Sequence, residues 1–148
     1  MSRNKALQIG TTILSIWSII NIAPGIGSII YILLGKHAPV FVYLFTPSEV
    51  SNLEPRILST TDSVALLLNT LIISYFILVF FIIKYGLRES HVWTFWVLIF
   101  TVVIAQIASY IADLYLGSPN IIVNILSTLI MTIGFSFSAY GIFSKKSE

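Results

Sequence analysis

The sequence predicts an all-α fold, a four-helix transmembrane bundle whose first helix is kinked or broken at Pro24-Gly25 and which carries one long extracytoplasmic loop. Three observations point to it. The chain is 57% hydrophobic and 9% charged, with a mean hydropathy of +0.96, whereas a soluble domain is about a quarter charged. A soluble fold of 148 residues leaves much of its surface in water and cannot hide that much apolar area, so lipid is the solvent that fits. Apolar segments at about 6–34, 62–84, 91–115 and 119–143 each reach the ~20 residues needed to cross a ~30 Å hydrocarbon core. Finally, Arg3, Lys5, Lys84, Arg88, Lys145 and Lys146 fall at one set of span ends, and only Lys36 and Arg56 at the other. This bias puts both termini and the 85–90 turn in the cytoplasm. Residues 1–148 read as a single integral membrane domain.

The first span starts near Ala6, and its apolar character persists to Leu34, too long for a straight crossing. It lacks a small-residue cleavage site, so it reads as a retained span rather than a signal peptide. Pro24 removes a backbone donor and crowds the preceding turn, which predicts a kink or break. The stretch 26–34 then either finishes a tilted span or folds back at the surface. The connection 35–61 is the only long one, and its apolar run 40–45 is too short to span. Thr61 or Asp62 is the expected cap of the second span. The short turns at 85–90 and 116–118 make the last three spans antiparallel neighbours. Ser118 before Pro119 starts the fourth as a helix normally starts. Tyr85, Trp93, Phe95 and Trp96 flank the basic turn, as an interfacial aromatic belt does.

Polar residues within the spans fall into faces. The fourth span aligns Asn120, Asn124, Ser127, Met131, Gly134, Ser138 and Gly141. The third has a small face of Ala105, Ala108, Ser109 and Ala112 beside a polar face of Gln106, Tyr110 and Asp113. Small faces allow close helix approach, so these two spans are expected to pack on each other through them. Asn69 in the second span and Trp17, Ser18 and Asn21 in the first complete the set. Every amide in hydrocarbon must find a protein partner. Asn21, Asn69, Gln106, Tyr110, Asp113 and Asn124 therefore either tie helices together or line an outward-opening polar cavity for a lipid or small molecule. Asp113 is read as solvated or paired with Arg56 or Lys36 at headgroup level.

Much chemistry is missing. Without cysteine there is no thiolate nucleophile and no thiolate metal or cluster site. His37 and His91 lie on opposite sides, and a metal site of His37, Glu54, Asp62 and Asp113 has no ligand spacing behind it. A net charge of +2 gives no case for nucleic acid. No nucleophile, phosphate-loop or metal-helix motif appears. An enzymatic reading would rest on Asp113 and Tyr110 with the loop acids, which no motif organises. The reading that remains is a non-catalytic accessory or structural subunit of a larger membrane complex, without cofactor or metal. Its partners would be the bilayer and another membrane chain or further copies of itself. The alternative is a lipid- or small-molecule-binding bundle built on the six polar residues, with 35–61 as a lid.

Overall fold

A computed structural model describes residues 1–41, 45–116 and 121–144. Helix α1 spans Arg3–Leu33, a short α2 spans Pro47–Ser51, and α3 spans Pro55–Ile82 and runs into a π turn at Ile83–Leu87. Helices α4 and α5 span Val92–Leu116 and Ile121–Phe143. No strand occurs among the described residues. Helices α1, α3, α4 and α5 are each long and apolar enough to cross a membrane, and the chain is a multi-pass membrane helical bundle. The expected cap at Ser118-Pro119, Asn120, and the basic pair Lys145 and Lys146 lie outside the described residues.

Helix α1 begins at Ser2, whose side chain accepts from the Lys5 amide. It is not broken at Pro24: the α-helix continues to Leu33, so 26–33 extends the same helix instead of folding back. Proline is tolerated within membrane helices because neighbours and local adjustment compensate for the lost donor. Here Gly25 lies buried against Ile73 and the Asn69 carbonyl of α3. The helix stops where Gly35 takes a φ of +78°. The Gly35 amide bonds the Ile32 carbonyl and the Lys36 amide bonds that of Tyr31, at 2.9 and 3.2 Å, the paired closure that a left-handed glycine permits.

Helix α3 corrects the expected cap of the second span. It begins at Pro55, ahead of the expected cap at Thr61 or Asp62. Proline fits the first helical position, where its missing N–H would be unpaired anyway. Asp62 is thus an internal helix residue and does not cap. At the other end the Arg88 amide reaches back to Ile83 and the His91 amide to Gly86, at 3.0 and 3.2 Å. Gly86 is pressed on Thr94, so a Cβ there would lie 2.4 Å from Thr94 Cγ2. That contact locks the π turn onto the start of α4.

The second correction concerns packing order. The glycine part of the small face of α5, with Gly134, Ser138 and Gly141, packs on α1 rather than on the third span, while Asn124 at its loop end meets Ser109 of α4. A Cβ at Gly134 would strike Leu14, and one at Gly141 would strike Leu7. Gly10 of α1 in turn faces Ser138 and the Gly134 carbonyl. Helix α1 is therefore central, packing most extensively on α5 and α3, while α4 packs on α5 and also meets the π turn and α3. The physical reason is reciprocity: α1 supplies its own glycine, Gly10, opposite Ser138 and Gly134, and close approach needs small residues on both helices. Ala105, Ala108 and Ala112 of α4 stay exposed.

The apolar core lies toward the basic end. Leu14, Trp17, Val79, Ile83, Leu87, Leu98, Val102 and Phe135 form one buried cluster. Trp17 meets Phe76 edge-on at 5.3 Å, and Phe95 meets Phe135 at 5.9 Å. Toward the loop end, polar contacts between helices take over from apolar packing.

Candidate functional site

The third and fourth spans meet through polar side chains. Asn124 of α5 uses both amide protons: one goes to Ser109 Oγ at 2.9 Å and the other to the Asp113 carboxylate. The Thr128 hydroxyl donates to the Asn124 carbonyl at 2.8 Å. Its proton is thereby committed, so Tyr110 must donate its own hydroxyl proton to Thr128, at 2.9 Å. Gln106 Nε2 reaches the same Asn124 carbonyl at 3.5 Å, the outer limit of such a bond. Four of the expected residues, Gln106, Tyr110, Asp113 and Asn124, thus form one network between α4 and α5. Thr128 and Ser109 belong to it as well. Thr128 lay unnoticed in the sequence because a threonine in a span is usually closed on its own helix.

The other two residues sit apart. Asn69 Nδ2 donates to Ser28 Oγ of α1 at 3.0 Å and to the Ala65 carbonyl at 2.8 Å. Asn21 Nδ2 donates to the Trp17 carbonyl at 2.8 Å, within its own helix. No hydrogen bond among the described residues joins either to the α4–α5 network. A separate tie links α1 to α5: the Trp17 indole N–H donates to Ser127 Oγ at 2.8 Å. Each helix interface of the loop-end half therefore has its own polar tie, α1 to α3, α1 to α5, and α4 to α5.

Of the two expectations for Asp113, solvation or pairing with Lys36 or Arg56, the pairing does not form among the described residues. The Asp113 carboxylate accepts from Asn124, with no basic partner among the described residues. At the loop end Asp62 finds a side-chain partner: its carboxylate lies 3.0 Å from His37 Nδ1, and its side chain is only 18% exposed. The second carboxylate oxygen of Asp62 accepts the Ala38 amide at 2.6 Å. The chain leaving α1 is thereby clasped to the third turn of α3. Beside the clasp, Tyr31, Lys36, Phe41, Phe45 and Val50 line a hollow of about 350 Å³. Farther along, Thr46 and Glu49 close a capping box at the start of α2. There the Thr46 amide and hydroxyl, donating at 2.7 and 2.8 Å, hold the Glu49 carboxyl below the usual carboxylate range. No three of His, Asp and Glu gather into a metal-binding group among the described residues.

At the basic end, Arg3 does more than mark topology. Its Nε and Nη2 donate to the Gly141 and Ile142 carbonyls at 3.2 and 2.8 Å. The guanidinium thus caps the last turn of α5 and places a cation at the negative end of its dipole. Nothing in the sequence points to this pairing, because the two groups are far apart along the chain.

Comparison with protein-family models, with curated proteins and with solved structures finds no match in any of the three.

Proposed function

We propose that this protein is a non-catalytic subunit that assembles with other membrane helices, with both termini on the cytoplasmic side. One observation carries the reading: the polar side chains within the spans close on each other across helix interfaces, as in the set joining Gln106, Tyr110, Asp113, Asn124 and Thr128. They act as ties and leave packing surface as what the bundle offers a neighbour. The alanine face of α4, with Ala105, Ala108 and Ala112 exposed, is where a further helix would approach closely, since small residues favour such contacts in lipid. Orientation is supported by Arg3, Lys5, Lys84 and Arg88 at one end of the bundle against Lys36 and Arg56 at the other.

The test is native mass spectrometry of the protein extracted from its own membrane in mild detergent. The reading expects an assembly heavier than the 16.5 kDa chain, containing other chains or further copies, that is lost in Ala108→Leu. A bare single chain would reject it.

A further inference from the structure

Between α1 and α3, at the basic end of the bundle, a cavity of about 240 Å³ opens to the side. Gln8, Thr11, Thr12 and Ser15 form its α1 wall, and Lys84 and Arg88 stand on the opposite side. Ile16, Ile19 and Phe80 line its deeper part. A second hollow of about 430 Å³ adjoins it and shares Gln8 and Arg88. Asn4, Glu89 and Ser90 rim that outer mouth. The two make one groove, polar and cationic near the helix ends and apolar farther in. From Gln8 to Ile19 the α1 wall advances about 16 Å at ~1.5 Å per residue, about one leaflet of a ~30 Å hydrocarbon core.

Two further features separate this groove from ordinary helix packing. Thr11, Ser18, Thr70 and Ser74 each return their hydroxyl to a carbonyl of the preceding turn. No hydrogen bond among the described residues engages Thr12 or Ser15, whose hydroxyls stay available at membrane depth. Likewise neither Lys84 nor Arg88 forms an ion pair among the described residues, and Lys84 lies 5.3 Å from the ring of Tyr85. Glu89 lines the outer hollow and not the deeper cavity, where Lys84 and Arg88 are the charged side chains.

We propose that this groove binds an anionic glycerophospholipid of the leaflet at the amino-terminal end of α1. Its phosphate sits between Lys84 and Arg88, its glycerol oxygens face Thr12 and Ser15, and an acyl chain follows Ile16, Ile19 and Phe80. Basic pockets between membrane helices recognise anionic headgroups in this way. The apolar floor favours a lipid over a soluble anion, which would leave that floor unmatched.

The experiment is lipid titration of the detergent-purified chain, read by native mass spectrometry. The probes are dioleoyl-phosphatidylglycerol, dioleoyl-phosphatidylcholine and inorganic phosphate. Phosphatidylglycerol adducts should exceed phosphatidylcholine adducts, with a loss of roughly fivefold for each cation removed. Lys84→Gln with Arg88→Gln should abolish the preference, and Lys5→Gln, at the same membrane end but outside the groove, should leave it. Ser15→Trp, which fills the groove with both cations intact, should also remove the adduct and covers the case in which the double variant fails to fold. Equal occupancy by the two lipids would overturn the proposal. So would a preference that survives Lys84→Gln with Arg88→Gln, or one lost equally in Lys5→Gln. Displacement of phosphatidylglycerol by equimolar inorganic phosphate would make this a soluble-anion site and overturn the lipid assignment.

Discussion

Gly141 rests directly on the backbone of Leu7, so close that a Cβ would lie 2.8 Å from the Leu7 nitrogen and 2.9 Å from its Cα. Backbone cannot swing aside as a side chain can. Gly141→Ala must therefore push α1 and α5 apart, at an overpacking cost of about 1–3 kcal/mol. Gly27, with nothing within 4 Å, is the internal control: Gly27→Ala should be neutral or slightly stabilising, because alanine is the better helix former. Unfolding in detergent, followed by circular dichroism, should separate the two variants. Equal stability would mean that α1 and α5 do not pack at this register.

Asn124 and Asp113 should be coupled. Asn124→Ala strands the Asp113 carboxylate and frees Ser109 Oγ. Interhelical hydrogen bonds in membranes average about 0.6 kcal/mol and reach about 1.7. A double-mutant cycle with Asp113→Ala should give a coupling of about 1 kcal/mol. Strictly additive losses would show that the two side chains act independently.

This network was only half legible in the sequence. Helical spacing placed Gln106, Tyr110 and Asp113 on one face of α4 and put Asn124 on the facing span. It could not tell which interface the small face of α5 would take, because that choice depends on Gly10, a single glycine on a helix far away in the chain. The four spans were readable from composition, since lipid imposes length and apolarity on every crossing. The run of α1 through Pro24 and the early start of α3 at Pro55 were not readable. Proline in a membrane helix breaks or continues it according to what the neighbours satisfy, and a helix beyond the hydrocarbon has no apolar signature. Asp62 carried the wrong message, and Arg3 only part of one, for a similar reason: charge type signals capping or topology, whereas their partners, Ala38 and Gly141, are set by tertiary approach.

Removing the Asp62 carboxylate should release the chain just after α1. The Ala38 amide depends on Asp62 Oδ1, and a hydrogen bond to a charged group contributes about 1.5–3 kcal/mol. Asp62→Ala should speed exchange of that amide by about tenfold or more, while amides in the middle of α3 keep their protection. Unchanged exchange at Ala38 would show that the clasp does not hold this segment.

Acid should loosen α2 only at unusually low pH. The Glu49 carboxyl titrates below the usual range because the Thr46 amide and hydroxyl stabilise its charged form. A group whose folded value is depressed contributes fully above its unfolded value and loses that contribution as pH falls through the folded one. The Thr46 amide should therefore stay protected down through the ordinary glutamate range and lose protection below it. Glu49→Gln should flatten the profile. A wild-type transition at the ordinary glutamate value would contradict the capping box.

The exposed alanine face of α4 is where the assembly reading is most vulnerable. The chain contains no cysteine, so a single Ala108→Cys can be labelled with a short thiol-reactive photocrosslinker in native membranes, beside Leu71→Cys on the exposed side of α3. A discrete protein adduct at Ala108, absent at Leu71, is the predicted result. No protein adduct at Ala108, or the same adducts at both positions, would contradict the account.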